Sequence, residues 1–260
     1  MKTTYILSAL ALLTLPLAAQ VSFSGSYTEN FNTMGTTGTV PPTGWKHLSF
    51  SMTTANTTWT DTTGIFANGT NSVASIAVTV ASTTLAATSA PTGNQNNGYN
   101  AAASAGATTD RVIATAPSSV TGTGIQAALT NATAATITSL KIAFDTVRFT
   151  AVSSANELPG YWVFISTNGT SWTNLTPNPT ITTVPNTAGV TASTLTATGL
   201  SIAPGATFYV RWLDDNAVAT SPDQIVGLNN VAITYLWSTP CPPPRSPPLP
   251  PGLPSTHQPP

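Results

Sequence analysis

Charge is what this sequence lacks most. Of its 260 residues only 15 are charged, seven Lys+Arg and eight Asp+Glu, or 6%, where about 25% is usual. Helices in water normally carry Glu, Lys and Arg on their exposed faces, so the shortage argues against a helical protein. With a net charge of −1 and seven scattered basic residues there is no stripe of cations to track phosphates, which excludes a nucleic-acid partner. There is one cysteine, Cys241, so no disulfide can form within the chain. Two histidines leave little acid–base chemistry, and no Gly-x-Ser-x-Gly elbow, His-Glu-x-x-His helix or phosphate loop is present. The reading that follows is a non-enzymatic protein.

In place of charge the chain has 50 threonines. Thr is a poor helix former and suits strands, so an all-β fold is expected. The ends differ from the middle. Lys2 followed by the apolar run Ile6–Leu17 and the small residues Ala18 and Ala19 reads as a secretory signal over residues 1–19. The run is too short for a membrane span. After Trp237, 11 of the 22 prolines fall in the last 23 residues. That donor-poor segment, 238–260, is expected to be a disordered, proline-rich tail. The domain between them, 20–237, is long enough for one large core.

Within 20–237 short apolar runs alternate with turn signals. Ser72–Leu85, Asp110–Thr115, Thr136–Thr150, Tyr161–Ser166, Ser171–Leu175, Phe208–Leu213 and Val231–Trp237 read as strands. Asn168-Gly169 between two of them predicts a hairpin turn, because both residues tolerate positive φ. In Thr136–Thr150 the apolar parity changes from Ile142 and Phe144 to Val147 and Phe149, which predicts a bulge or break near Asp145-Thr146. Pro91–Asn100 reads as a loop, and the Thr/Ala-rich stretches near 80–90 and 185–198 resemble low-complexity sequence. Many short strands without an amphipathic helix predict an antiparallel, jelly-roll-like β-sandwich.

Two patches hold candidate ligand groups. Asp214, Asp215, Asn216 and Asp223 lie around a loop before the last strand, and their oxygens suit Ca²⁺. The plain alternative is a hydrogen-bonded Asx turn. The aromatic residues Trp45, Trp59, Tyr99, Tyr161, Trp162 and Trp172 suit stacking against sugar rings, or equally a sandwich core. Of these, Trp45 and Trp59 have the more polar surroundings and are expected to be exposed. The ligand-binding set is Trp45, Trp59, Tyr99, Trp162 and Trp172. A carboxylate pair for glycoside hydrolysis would have to come from Glu29, Asp61, Asp110, Asp145, Glu157, Asp214, Asp215 and Asp223, and no spacing singles one out. Arg211 is read as a structural partner for an Asp or for Glu157.

Four segments carry a family likeness: Tyr27-Thr28-Glu29-Asn30-Phe31-Asn32-Thr33-Met34 with Gly44-Trp45, then Thr109-Asp110-Arg111-Val112, then Asn131 to Phe144, and last Leu200 to Trp212 with Asp223 and Gly227 to Thr234. Together they resemble bacterial secreted proteins that carry a PEP-CTERM sorting signal. The resemblance implies a jelly-roll-like sandwich and residence outside the cell or on its surface, and it carries no catalytic residues. The chain departs from that family at its end, where Pro242-Pro243-Pro244-Arg245 stands instead of Pro-Glu-Pro, an apolar span and basic residues. The expected role is a secreted protein of the surface or matrix that binds polysaccharide. The alternatives are a purely structural surface protein and a polysaccharide-acting hydrolase.

Overall fold

A computed structural model describes residues 20–50, 78–82, 84–118, 122–150, 160–175, 187–215 and 224–237. The signal segment, the proline-rich tail, Trp59, Asn216 and Asp223 lie outside the described residues. The elements are β1 (Val21–Phe23), β2 (Ser26–Glu29), a 3-10 turn (Asn32–Met34), β3 (Trp45–Phe50), β4 (Val78–Ser82), β5 (Ala86–Thr88), β6 (Tyr99–Ala102), β7 (Arg111–Thr115), β8 (Gly122–Asn131), β9 (Leu140–Thr150), β10 (Trp162–Ser166), β11 (Thr173–Asn174), β12 (Gly189–Ala197), β13 (Thr207–Asp215) and β14 (Ile225–Tyr235).

The strands form two seven-stranded sheets. The first runs β11-β10-β13-β8-β3-β4, with β1 also on β8. The second runs β12-β9-β14-β7-β6-β5, with β2 also on β14. From β7 to β10, and again from β11 to β14, each strand crosses to the other sheet, which is the winding of a jelly-roll-like sandwich. Pairing is antiparallel except for the short pairs β1–β8 and β5–β6. The crossing begins at the N-terminus, where β1 and β2 belong to different sheets.

Alternation along the strands makes the core. Ile125, Ala127 and Leu129 of β8 and Phe208, Val210 and Trp212 of β13 face Ile142 and Phe144 of β9 in one buried cluster. Trp212 joins the layers. Its ring stacks on Trp45 at 5.6 Å and meets Phe144 of the opposite sheet edge-on at 5.9 Å. Burying a side chain of this kind contributes about 1.5–3 kcal/mol.

The expected hairpin is present between β10 and β11. Asn168 Oδ1 accepts from the amides of Thr170 and Ser171 at 2.9 and 2.8 Å, and Gly169 takes φ 76°. The bulge or break expected near Asp145-Thr146 is absent from β9, whose register with β12 is unbroken from Leu140 to Arg148; Val147 and Phe149 change parity because they pack in a separate apolar cluster on the other face. A bulge lies instead in the partner strand β14. The β9–β14 register shifts between Asn229 and Ala232, opposite Asp145 and Ala143. The end of the expected loop Pro91–Asn100 is corrected by the structure, since Tyr99 and Asn100 begin the strand β6, and the Thr/Ala-rich stretch that resembles low-complexity sequence holds the regular strand β12. Ten-residue β8, rich in Gly and Ala, gave no strand signal. Its packing between β3 and β13 makes it one.

Arg111, Arg211 and His47 are among the polar side chains shut inside. Arg111 is 1% exposed and donates from Nε to Asn100 Oδ1 at 2.8 Å and from Nη2 to the carbonyls of Asn100 and Thr88 at 2.7 and 2.9 Å. Arg211 lies over the Trp172 ring at 3.9 Å and donates twice to Gln126 Oε1, at 3.0 and 2.6 Å. Burial lowers its pKa to about 9. His47, on the inner face of β3, is fully buried, and neither ring nitrogen has a hydrogen-bond partner among the described residues. Gly98 lies against it: a Cβ there would come within 2.3 Å of His47 Cδ2.

Candidate functional site

The structure packs most of the aromatic residues picked out in the sequence. Trp45 is 5% exposed, and its indole donates to Tyr27 Oη at 2.7 Å while Phe31 meets it edge-on. Trp162 is buried opposite Leu213. Trp172 spends one face on the Arg211 guanidinium. Tyr161 is buried, and its hydroxyl donates to Val226 O at 2.7 Å. Tyr99 is half-buried and donates to Gly93 O at 2.8 Å. Burial raises its pKa. The exposed ring is one the sequence reading left in the core pattern. Trp237, 62% exposed, follows the end of β14 and leans on Tyr235 at 4.3 Å.

The proposed calcium ligands are divided. Asp214 points inward from β13, fully buried, and accepts from Gln224 Nε2 at 2.7 Å. Gln224 also accepts from Arg148 Nη1 at 3.2 Å and from the Gly160 amide at 3.1 Å. Tyr161 lies close to this knot. Burial holds its pKa well above the usual phenol value, and the charge of Asp214 adds to the rise. Asp215 ends β13, while Asn216 and Asp223 lie outside the described residues. Among the described residues no three His, Cys, Asp or Glu side chains gather to hold a metal.

The structure assembles a different site, where β2 pairs with the bulged part of β14. A polar chain leads to it from the core. Trp45 donates to Tyr27, and Tyr27 donates to Glu29 Oε2 at 3.2 Å. Burial raises the Tyr27 pKa, so this phenol stays protonated and keeps donating. Glu29 Oε1 accepts from the Phe31 amide at 2.7 Å. That bond holds Phe31 at φ 61°, in the left-handed region, with its ring buried. Across the cleft, Asn230 takes φ 46° in the bulge. Its amide nitrogen donates to Asn229 Oδ1 at 2.8 Å, and its side-chain Nδ2 donates to Asp145 Oδ2 at 2.8 Å. Asn229 Nδ2 donates to Asp110 Oδ1 at 3.1 Å.

Phe31 and Asn230 are the two non-glycine residues with positive φ among the described residues; Asn230 lines a cleft, and Phe31 lies in the chain between two of its lining residues, Asn30 and Thr33. Such conformations cost on the order of 1–3 kcal/mol and gather at functional sites. The cleft has a volume of about 450 Å³ and is lined by Thr28, Glu29, Asn30, Thr33, Asn230, Val231 and Ala232. Hydroxyls, amides and one carboxylate share it with the apolar Val231 and Ala232, a mixture suited to hydroxyl-rich ligands. Glu29 and Asn230 were not paired from the sequence because the fold, and no local spacing, brings them together.

A second, apolar groove of about 370 Å³ lies on the outer face of the second sheet, between Pro91, Ala105, Val147, Phe149 and Val190. Small residues floor that face: Ala101, Ala103 and Ala114 with Val112.

No family model matches the chain, and no curated protein matches it. Among solved structures it is similar to a protein reported under "CBM4 structure and function", with 15% identity and a TM-score of 0.32, covering 48% of this chain and 83% of that one. It is also similar to the Stig cyclase Fisc from Fischerella sp. TAU, solved with (3Z)-3-(1-methyl-2-pyrrolidinylidene)-3H-indole, with 16% identity and a TM-score of 0.41, covering 82% of this chain and 98% of that one.

Proposed function

We propose that this chain is a secreted, non-catalytic β-sandwich module of the cell surface or matrix, and that it binds a glycan in the cleft between Glu29 and Asn230. The observation that carries the reading is the cleft of about 450 Å³ in which Thr28, Glu29, Asn30, Thr33 and Asn230 gather, with Asn230 and the neighbouring Phe31 held at positive φ. In a binding role the strain fixes the direction of hydrogen-bonding groups before the ligand arrives. The Asn230 amide, the Thr28 and Thr33 hydroxyls and the Glu29 carboxylate offer both donors and acceptors to sugar hydroxyls. Trp237, exposed further along from β14, is the ring suited to a sugar face.

A non-catalytic role is supported by how the nearby acids are used. Asp145 and Asp110 each accept from an asparagine amide, and Glu29 holds the Phe31 backbone. Export is supported by Lys2 and the apolar run Ile6–Leu17. N-terminal sequencing of exported protein is expected to begin near Gln20 or Val21. The binding test is a glycan array with the full chain, followed by titration calorimetry on Asn230→Ala and Glu29→Gln. The wild type is expected to bind and both variants to lose at least tenfold in affinity while still folding. Failure of the wild type to bind any glycan, or full affinity in both variants, would remove the reading.

A further inference from the structure

The ends of the two sheets are treated unequally. The first sheet ends at β11, two residues long, and at β4, whose pairing with β3 is broken by a register shift. The second sheet ends on one side at β5, three residues long. Its other end is β12, nine residues in unbroken register with β9 from Gly189 opposite Arg148 to Ala197 opposite Leu140. At about 3.3 Å per residue β12 presents roughly 30 Å of straight edge. Its outward N–H and C=O groups have no backbone partner among the described residues.

Natural sheets blunt such an edge with lysine, proline, a bulge or a short strand. β12 has none of these. Its sequence, Gly-Val-Thr-Ala-Ser-Thr-Leu-Thr-Ala, holds no charge and no proline. Val190, Ala192, Thr194 and Thr196 are exposed on the outer face, Val190 at 61%. The nearest charges on the outer face, Lys141 and Asp145, sit one strand inward, opposite Thr196 and Ala192. No repulsion therefore opposes a second strand.

We propose that β12 is a self-association edge: two copies of this chain join antiparallel through β12, so that their second sheets become one continuous sheet. A second copy is the occupant the edge fits, because an antiparallel pair of identical strands is self-complementary about a two-fold axis. Neutral Ser and Thr side chains pair with themselves across such an axis without a charge clash. Among the described residues each molecule offers one long open edge, so the assembly closes as a dimer and does not grow into a filament. This proposal is independent of the glycan reading.

Sedimentation of the full chain over a concentration series tests it. The wild type is expected to move from monomer to twice that mass and no further. Ala192→Lys with Thr194→Lys places like charges face to face across the axis and is expected to leave a monomer. Ala192→Glu with Thr194→Glu is expected to do the same, and mixing the two variants is expected to restore the doubled mass. Circular dichroism shows whether each variant is folded. Backbone amide exchange on the wild type needs no variant: protection over 189–197 is expected to rise with protein concentration. A wild type that stays monomeric, a polymer larger than a dimer, or a dimer unchanged in both folded variants would overturn the proposal.

Discussion

Arg111 and His47 are both sealed from water, in opposite sheets, and the fold treats them differently. Arg111 is surrounded by oxygens aimed at its donors, and it ties β7 to β6 and to Thr88 at the end of β5. Asn100, its main partner, reaches on to the carbonyls of Gly35 and Gly38 and so fixes the loop after the 3-10 turn. His47 is merely enclosed, with Gly98 against its ring and no hydrogen bond at either nitrogen. The contrast teaches that burial alone does not make a polar residue a support. The partners decide, since a satisfied buried group holds structure in place and an unsatisfied one lowers stability.

The largest test of that contrast is acid. Burial lowers the His47 pKa from 6.5 to about 3. The unfolded chain therefore takes up a proton that the folded chain refuses. Stability at this site is complete above pH 6.5, falls as pH drops, and is lower by roughly 5 kcal/mol once pH reaches 3. Urea unfolding across that range is expected to show the slope, and His47→Leu is expected to abolish most of it. An identical acid slope in the variant would mean that other groups govern acid unfolding.

Arg111→Met comes next. It leaves Asn100 Oδ1 and two carbonyls without their donor, and a loss of about 3–5 kcal/mol is expected in urea unfolding. His47→Leu at neutral pH is expected to move stability the other way, by about 1 kcal/mol, because two unpaired nitrogens leave the core. If both substitutions cost the same, the contrast fails. Arg211→Met sharpens it with an intermediate case. The substitution loses the ring stack and the Gln126 bonds and relieves a buried cation, so a change within about 1–2 kcal/mol is expected. The smallest effect belongs to Asn230→Gly, where relief of positive φ and loss of the Asp145 bond offset to within about 1 kcal/mol. Thermal unfolding detects it, while glycan affinity is expected to fall far more than stability.

Much of the fold was legible from period-two alternation. Phe208, Val210 and Trp212 point inward as the pattern predicts, and Asn168-Gly169 marks its hairpin. The parity change around Asp145 marks apolar packing on both faces of β9, with Ile142 and Phe144 in the main core and Val147 and Phe149 in the separate cluster on the outer face, and not a bulge in that strand. Alternation says which residues share a face and not whether that face is covered. Trp162 and Phe164 lie on the side of the first sheet away from Trp212 and are as deeply buried. For that reason ring-rich positions were a poor guide to the site. The cleft was illegible for another reason. Glu29 and Asn230 are brought together by β2–β14 pairing across almost the whole domain.

The position of β14 sets when this protein can exist. It is the last described strand, and it lies in the middle of its sheet, between β9 on one side and β7 and β2 on the other. Until residues 225–235 have been made, β12–β9 and β7-β6-β5 are two unconnected fragments, and β2 has nothing to pair with. The second sheet therefore closes only when this strand is in place. Pairings of such long sequence separation form slowly. A chain halted before Ile225 lacks the strand that joins β12–β9 to β7-β6-β5 and to β2.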